Sequence, residues 1–160
     1  MKRFRDPAVA KKFQSYPLQV RRKMLALREL IFKTAAATNG VGELTEQLKW
    51  GEPAYITQQS RSGSTVRIDW KQSSPDCYAM YFNCQTNLID TFRTLFPDEF
   101  SFEGNRALVI PLEGRAKLGP LAYCIAASLT YHSAKRTTAR KPTKANRMTP
   151  NNLLDGTREQ

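Results

Sequence analysis

The sequence has little of what metal centres and disulfide frameworks need. Its 160 residues include one histidine, His132, and three cysteines, Cys77, Cys84 and Cys124, spaced seven and forty residues apart. Such spacing fits neither a disulfide framework nor a paired C-x-x-C zinc site, so we expect reduced thiols. His132 falls at the end of a predicted helix, where a side chain can bond the last carbonyl groups. We expect that structural role for it, not metal ligation.

Long apolar runs and common catalytic motifs are also missing. No run approaches the roughly 20 apolar residues that cross a bilayer, and residues 1–7 lack the apolar core of a secretory signal. We therefore expect a cytoplasmic protein. The chain has no P-loop, no G-x-S-x-G elbow and no H-E-x-x-H motif. An enzyme of unrecognised type would depend on Cys84, which would need a base or cation nearby to become a thiolate.

Acidic residues are few, with 14 Asp and Glu against 25 Lys and Arg, and the net charge is +11. The excess lies at the two ends: residues 1–34 carry +8, residues 35–132 carry −2 and residues 133–160 carry +5. Solvated basic ends are the simpler interpretation. The alternative is a nucleic-acid-associated protein that uses its basic N-terminal helices and its tail on phosphates.

The N-terminal region predicts two helices. Asp6 and Pro7 are typical of a helix start, and Pro17 begins a second helix. An apolar stripe at helical spacing in the second helix predicts its core face. We expect the basic residues beside the stripe to form a solvated face. The stripe is Val20, Met24, Leu27 and Ile31, and the basic residues are Arg21, Arg22, Lys23 and Arg28.

The middle of the chain predicts a short helix over 43–49, then strands over 54–59, 65–70 and 77–82. A helix follows between Thr86 and Pro97, then a hairpin with its turn at Gly104-Asn105 and a helix over 121–132. The class is α+β: about five mostly antiparallel strands, with N-terminal helices, one mid-chain helix and a C-terminal helix packed on the sheet. We expect one domain over 1–134 and a basic, disordered tail over 135–160.

Six segments in order carry a resemblance to a known family. They are LRELI at 27–31, LKWGEPAY at 48–55, YFNCQT at 81–86, FPDEF at 96–100, EGNRAL at 103–108 and ASLTYH at 127–132. With them, residues 13–132 resemble the YdhG-like domains of unknown function, a bacterial family described as frataxin-like or iron-chaperone-like. The resemblance implies a compact α+β domain and, by analogy, iron as a ligand. It supplies no iron-ligand motif.

Aromatic and polar residues at element boundaries predict a pocket. The candidates are Trp50, Glu52, Tyr55, Trp70, Tyr81, Asn83, Cys84 and Arg106. The alternative is that Trp50 and Tyr55 fill the core between the second helix and the sheet. Asp98, Glu99 and Glu103 are candidate oxygen ligands for iron or calcium, although three acids so close in sequence usually form a solvated loop.

The first hypothesis is thus a non-enzymatic cytoplasmic binding domain for a small molecule or a metal ion. Nucleic-acid association is the alternative, and an enzyme of unrecognised type is the second alternative.

Overall fold

The computed structural model describes residues 1–140, which form five helices and one six-stranded antiparallel sheet. The helices are α1 (Pro7–Ser15), α2 (Leu18–Ala37), α3 (Leu88–Leu95), α4 (Leu118–Leu129) and α5 (Tyr131–Ala139). The strands are β1 (Thr45–Lys49), β2 (Glu52–Ile56), β3 (Val66–Asp69), β4 (Cys77–Tyr81), β5 (Ser101–Glu103) and β6 (Ala107–Pro111). Their order in the sheet is β1-β2-β3-β4-β6-β5, and the α+β class predicted from the sequence is confirmed.

The first two helices begin where their sequence signals place them. The Asp6 side chain accepts a hydrogen bond from the Ala8 N–H at 2.8 Å, and Pro7 opens α1 without needing a donor. The predicted apolar stripe of α2 is buried. The prediction that the basic residues beside this stripe are all solvated is wrong for Arg28, because its side chain is fully buried. The reason is a buried acidic partner, Glu46.

The segment predicted as a short helix over 43–49 is instead strand β1, paired with β2. A two-residue turn joins the strands, and its residues Trp50 and Gly51 have φ of +55° and +74°. Positive φ at both positions is the mark of the hairpin turn whose twist matches the flanking strands. Sheet pairing and the contact of Glu46 with Arg28 therefore outweigh the helix propensity of this segment.

The two faces of the sheet carry different sets of side chains. The hydrophobic core lies on one face of the sheet. It joins buried apolar residues of α1, α2, α3 and α4 to strand residues that include Tyr55, Ile68, Met80 and Leu108. The other face we call the outer face. It carries Glu52, Ala54, Arg67, Asp69, Ala79, Tyr81, Ala107 and Val109, which alternate with the core residues along the strands.

The C-terminal region is more helical than the sequence predicts. Helix α4 ends at Leu129, and α5 follows it to Ala139. The N–H groups of His132 and Ser133 both donate to the carbonyl oxygen of Ser62 at 2.9 Å, which ties the start of α5 to the β2–β3 connection. Residues 135–139 of the predicted tail belong to α5, and residues 141–160 lie outside the described part of the chain. None of the helices within 1–140 is long and apolar enough to cross a membrane.

Candidate functional site

A cavity of about 390 Å³ lies on the outer face of the sheet. The register pairs Asp69 with Ala79 and Ala79 with Val109, so that one row of side chains crosses three strands. The methyl group of Ala79 is the smallest side chain in this row and forms the floor. The longer residues around it form the walls, chiefly Glu52, Arg67, Lys71, Tyr81, Glu103 and Arg106.

The cavity begins at the point where strands β2 and β3 stop pairing. The paired residues are Ala54 with Arg67 and Tyr55 with Val66, and the pairing of the two strands ends at Ala54, next to Pro53. Proline has no N–H to donate to a neighbouring strand, so a ladder ends readily beside it. Beyond this point the two strands are joined by side chains of Glu52, Arg67 and Lys71.

The two buried carboxylates of the cavity wall are held by protein cations and a hydroxyl. Asp69 accepts a hydrogen bond from the Tyr16 hydroxyl at 2.7 Å and lies 3.5 Å from Lys12 Nζ. Glu52 Oε1 lies 3.3 Å from Arg67 Nη1 and 4.0 Å from Lys71 Nζ. Lys71 therefore stands between both acids, 3.9 Å from Asp69 Oδ2. The contacts with Glu52 and Asp69 hold Arg67 and Lys71 at one side of the cavity.

The other carboxylate oxygen of Glu52 is different. Glu52 Oε2 is buried and has no hydrogen-bond partner among the described residues. Burial raises the pKa of Glu52, and the nearby charges of Arg67 and Lys71 oppose that rise. A buried polar atom left without a partner is rare in native proteins and needs a specific reason, such as a functional role or a bound molecule.

Tyr81 contributes an aromatic ring and a protonated hydroxyl. Arg67 Cζ and Lys71 Nζ lie 5.8 Å and 5.5 Å from its ring centroid. Burial raises the pKa of Tyr81 to about 12, with smaller contributions from Glu52 and Asp69. The phenol therefore keeps its proton at neutral pH, and it can donate a hydrogen bond.

The structure brings together three of the eight residues predicted to form a pocket: Glu52, Tyr81 and Arg106 line the cavity. Tyr55 is fully buried and packs edge-on against Phe32, with ring centroids 5.6 Å apart, so its alternative role in the core is the correct one. Trp50 is 88% exposed at the tip of the β1–β2 hairpin. Trp50 therefore does not fill the core, and it is not among the residues that line this cavity.

The other three predicted residues lie outside the cavity. Trp70 is half-buried, and its indole N–H donates to the Pro75 carbonyl oxygen at 3.0 Å. The Asn83 side-chain oxygen accepts from the Gln85 N–H at 2.9 Å, which makes it a turn residue. Cys84 is exposed next to this turn.

The sequence predictions missed nine lining residues: Arg67, Asp69, Lys71, Ser73, Ser74, Cys77, Tyr78, Ala79 and Val109. The available signal was the pair Arg67 and Asp69, which alternate with Val66 and Ile68 and so share the polar face of one strand.

The acidic residues considered as metal ligands do not form a centre. Within residues 1–140, no group of three or more His, Cys, Asp or Glu side chains is placed to hold a metal ion. Asp98 is exposed and Glu99 half-buried in the loop before β5, while Glu103 lies at the rim of the cavity.

The fold and site define an α+β domain with a charged cavity on the outer face of its sheet. Comparison with protein-family models, with curated proteins and with solved structures finds no match to this chain. The resemblance to YdhG-like domains therefore remains a prediction from the sequence segments.

Proposed function

We propose that this chain is a non-enzymatic binding domain that holds a small polar molecule in the outer-face cavity. The observation that carries the proposal is the buried Glu52 Oε2, which has no hydrogen-bond partner among the described residues, in a cavity also lined by Arg67, Lys71 and Arg106. A concave site with converging polar groups is the usual form of a ligand site. The cavity volume of about 390 Å³ falls within the range of small-molecule pockets, roughly 300–1,000 Å³.

The chemistry of the cavity favours recognition over covalent catalysis. Its one thiol, Cys77, donates to the Ser74 carbonyl oxygen at 3.7 Å, and burial raises its pKa. A protonated thiol is a poor nucleophile. None of the residues that line the cavity is a histidine that could serve as a base. The remaining groups are suited to donating and accepting hydrogen bonds.

The test is a ligand screen read by amide NMR shifts, with a variant that fills the floor. The panel contains polar metabolites and ferrous iron, the ligand that family analogy suggests. Ligands should shift the amides of Arg67, Ala79 and Tyr81, and Ala79→Leu should abolish binding by occupying the floor. Ala36→Leu, at an exposed position of α2, is the matched control and should bind normally. Ligands that bind Ala79→Leu as tightly as the unaltered protein would contradict the proposal.

A second candidate function, nucleic-acid association, is supported by helix α5. None of the residues of α5 is buried. The helix carries Lys135 and Arg136 and is followed by Arg140. These three basic side chains are exposed and can reach phosphates. The chain beyond it adds further positive charge in the sequence. Flexible basic side chains contact phosphates without reading bases, so this binding would show little sequence preference.

A further inference from the structure

We infer that the molecule bound in the outer-face cavity is a small organic anion, whose carboxylate or phosphate group lies between Lys71 and Arg106. This inference rests on the proposed function and names the ligand class of the same site. It follows from the distribution of partners among the charged groups that face the cavity.

The buried acids of the cavity already have partners within the protein. Asp69 is held by the Tyr16 hydroxyl and by Lys12, and Glu52 Oε1 by Arg67. Glu52 Oε2 is enclosed, and burial raises the pKa of this carboxyl. The inner end of the cavity therefore offers little negative charge to a cationic ligand.

The groups that remain open to a ligand are mostly donors. The Lys71 side chain is 50% exposed, and its two acidic contacts, at 3.9 and 4.0 Å, are the longest ion pairs of the cluster. Arg106 is exposed and forms no ion pair within residues 1–140. The hydroxyls of Ser73 and Ser74 are exposed in the same loop as Lys71, and Tyr81 adds its phenol proton.

The backbone fixes Arg106 at this rim. The Phe82 N–H donates to the Arg106 carbonyl oxygen at 2.7 Å, which joins the β5–β6 turn to the end of β4 directly after Tyr81. Lys71 approaches from the β3–β4 loop on the other side of the cavity. Arginine binds carboxylate and phosphate groups through two parallel hydrogen bonds, and lysine adds a point charge.

One exposed acid opposes an anion at this site. Glu103 lines the same rim, three residues before Arg106, and has no ion-pair partner among the described residues. The inference therefore predicts opposite effects for neighbouring changes. Removing Lys71 or Arg106 should weaken binding, and removing the charge of Glu103 should strengthen it.

The test titrates the full-length protein with citrate, pyrophosphate and inorganic phosphate, and in parallel with putrescine and glucose, and follows the amide NMR spectrum. The anions should shift the amides of Lys71, Ser73, Ser74 and Arg106. Lys71→Gln and Arg106→Gln should each weaken anion binding about tenfold or more, the cost of losing a hydrogen bond to a charged group. Glu103→Gln should strengthen it a few-fold. Lys33→Gln, an exposed site on α2, is the control and should change nothing.

Each result has a defined meaning. Citrate binding without pyrophosphate binding assigns a carboxylate, and the reverse assigns a phosphate. If putrescine or glucose shifts these amides and the anions do not, the anion inference is overturned while the cavity remains a binding site. If neither these probes nor the metabolite panel shifts any amide of the cavity, the inference and the proposed function fail together.

Discussion

Arg28 and Glu46 form a bidentate ion pair inside the protein: Arg28 Nε donates to Glu46 Oε2 at 2.6 Å, and Arg28 Nη2 donates to Oε1 at 2.9 Å. Arg28 Nη1 donates to the Lys2 carbonyl oxygen at 2.6 Å in the N-terminal segment and to Glu29 Oε1 at 3.3 Å. The guanidinium also stacks on Phe4, with Cζ 3.9 Å from the ring centroid. One side chain therefore joins α2, β1 and the start of the chain.

Arg28→Met should destabilise the fold strongly. The substitution leaves Glu46, whose side chain is 8% exposed, buried without its cation. Removing one partner of a buried pair costs about 3–5 kcal/mol, because an uncompensated charge remains. Urea unfolding measures the loss. The double substitution Arg28→Met with Glu46→Leu should recover much of it, and Arg22→Met on the exposed face of α2 should be close to neutral. A loss below about 1 kcal/mol for Arg28→Met would contradict the role of the pair.

Trp50→Asn should maintain or raise stability. The indole is 88% exposed and the residue has φ of +55°, a conformation that asparagine adopts more easily than a bulky residue. We expect a gain of up to about 1 kcal/mol in the free energy of unfolding, the scale of left-handed strain. Tyr55→Ala, at the buried aromatic five residues along, should instead lose roughly 3–5 kcal/mol. The urea midpoints of the two variants measure these changes in the free energy of unfolding. A loss above about 2 kcal/mol for Trp50→Asn would mean that the indole packs against the protein.

The α+β class and the hairpin at Gly104-Asn105 could be predicted because they depend on local signals, alternation and turn residues. Strand β1 could not, because its helix-forming residues gain a partner in Arg28 that is distant in sequence. The cavity was predicted only in part for the same reason. Glu52, Tyr81 and Arg106 lie at element boundaries, whereas the place of Asp69 and Ala79 depends on the sheet order, in which β6 lies beside β4 and β5 takes the edge.

Nucleic-acid binding through α5 should depend steeply on salt. Removing one cation that binds a phosphate reduces the slope of log affinity against log salt by about 0.7–0.9. Replacing Lys135, Arg136 and Arg140 together by glutamine should therefore lower the slope by roughly 2–3, as measured by fluorescence anisotropy of a labelled oligonucleotide between about 50 and 200 mM salt. Lys33→Gln is again the control. Absence of binding at the lower salt concentration would rule out this second function.

The stability effect of Glu52→Gln should depend on pH. Burial raises the pKa of Glu52 above its value in the unfolded chain, so the folded state binds the proton more tightly. The stabilisation from this carboxyl is present below the unfolded pKa and is lost as pH rises through the folded pKa. Glutamine resembles the protonated form at every pH. Its stability relative to the unaltered protein should therefore be more favourable at pH 7 than at pH 4.

Urea unfolding of both proteins at the two pH values measures this difference, with Glu103→Gln at the exposed rim as the matched control. The opposite sign, with Glu52→Gln relatively worse at pH 7, would mean that the ion pair of Glu52 with Arg67 outweighs the cost of burying the carboxylate. Glu52 would then be charged in the folded protein, and an anion in the cavity would face its full repulsion.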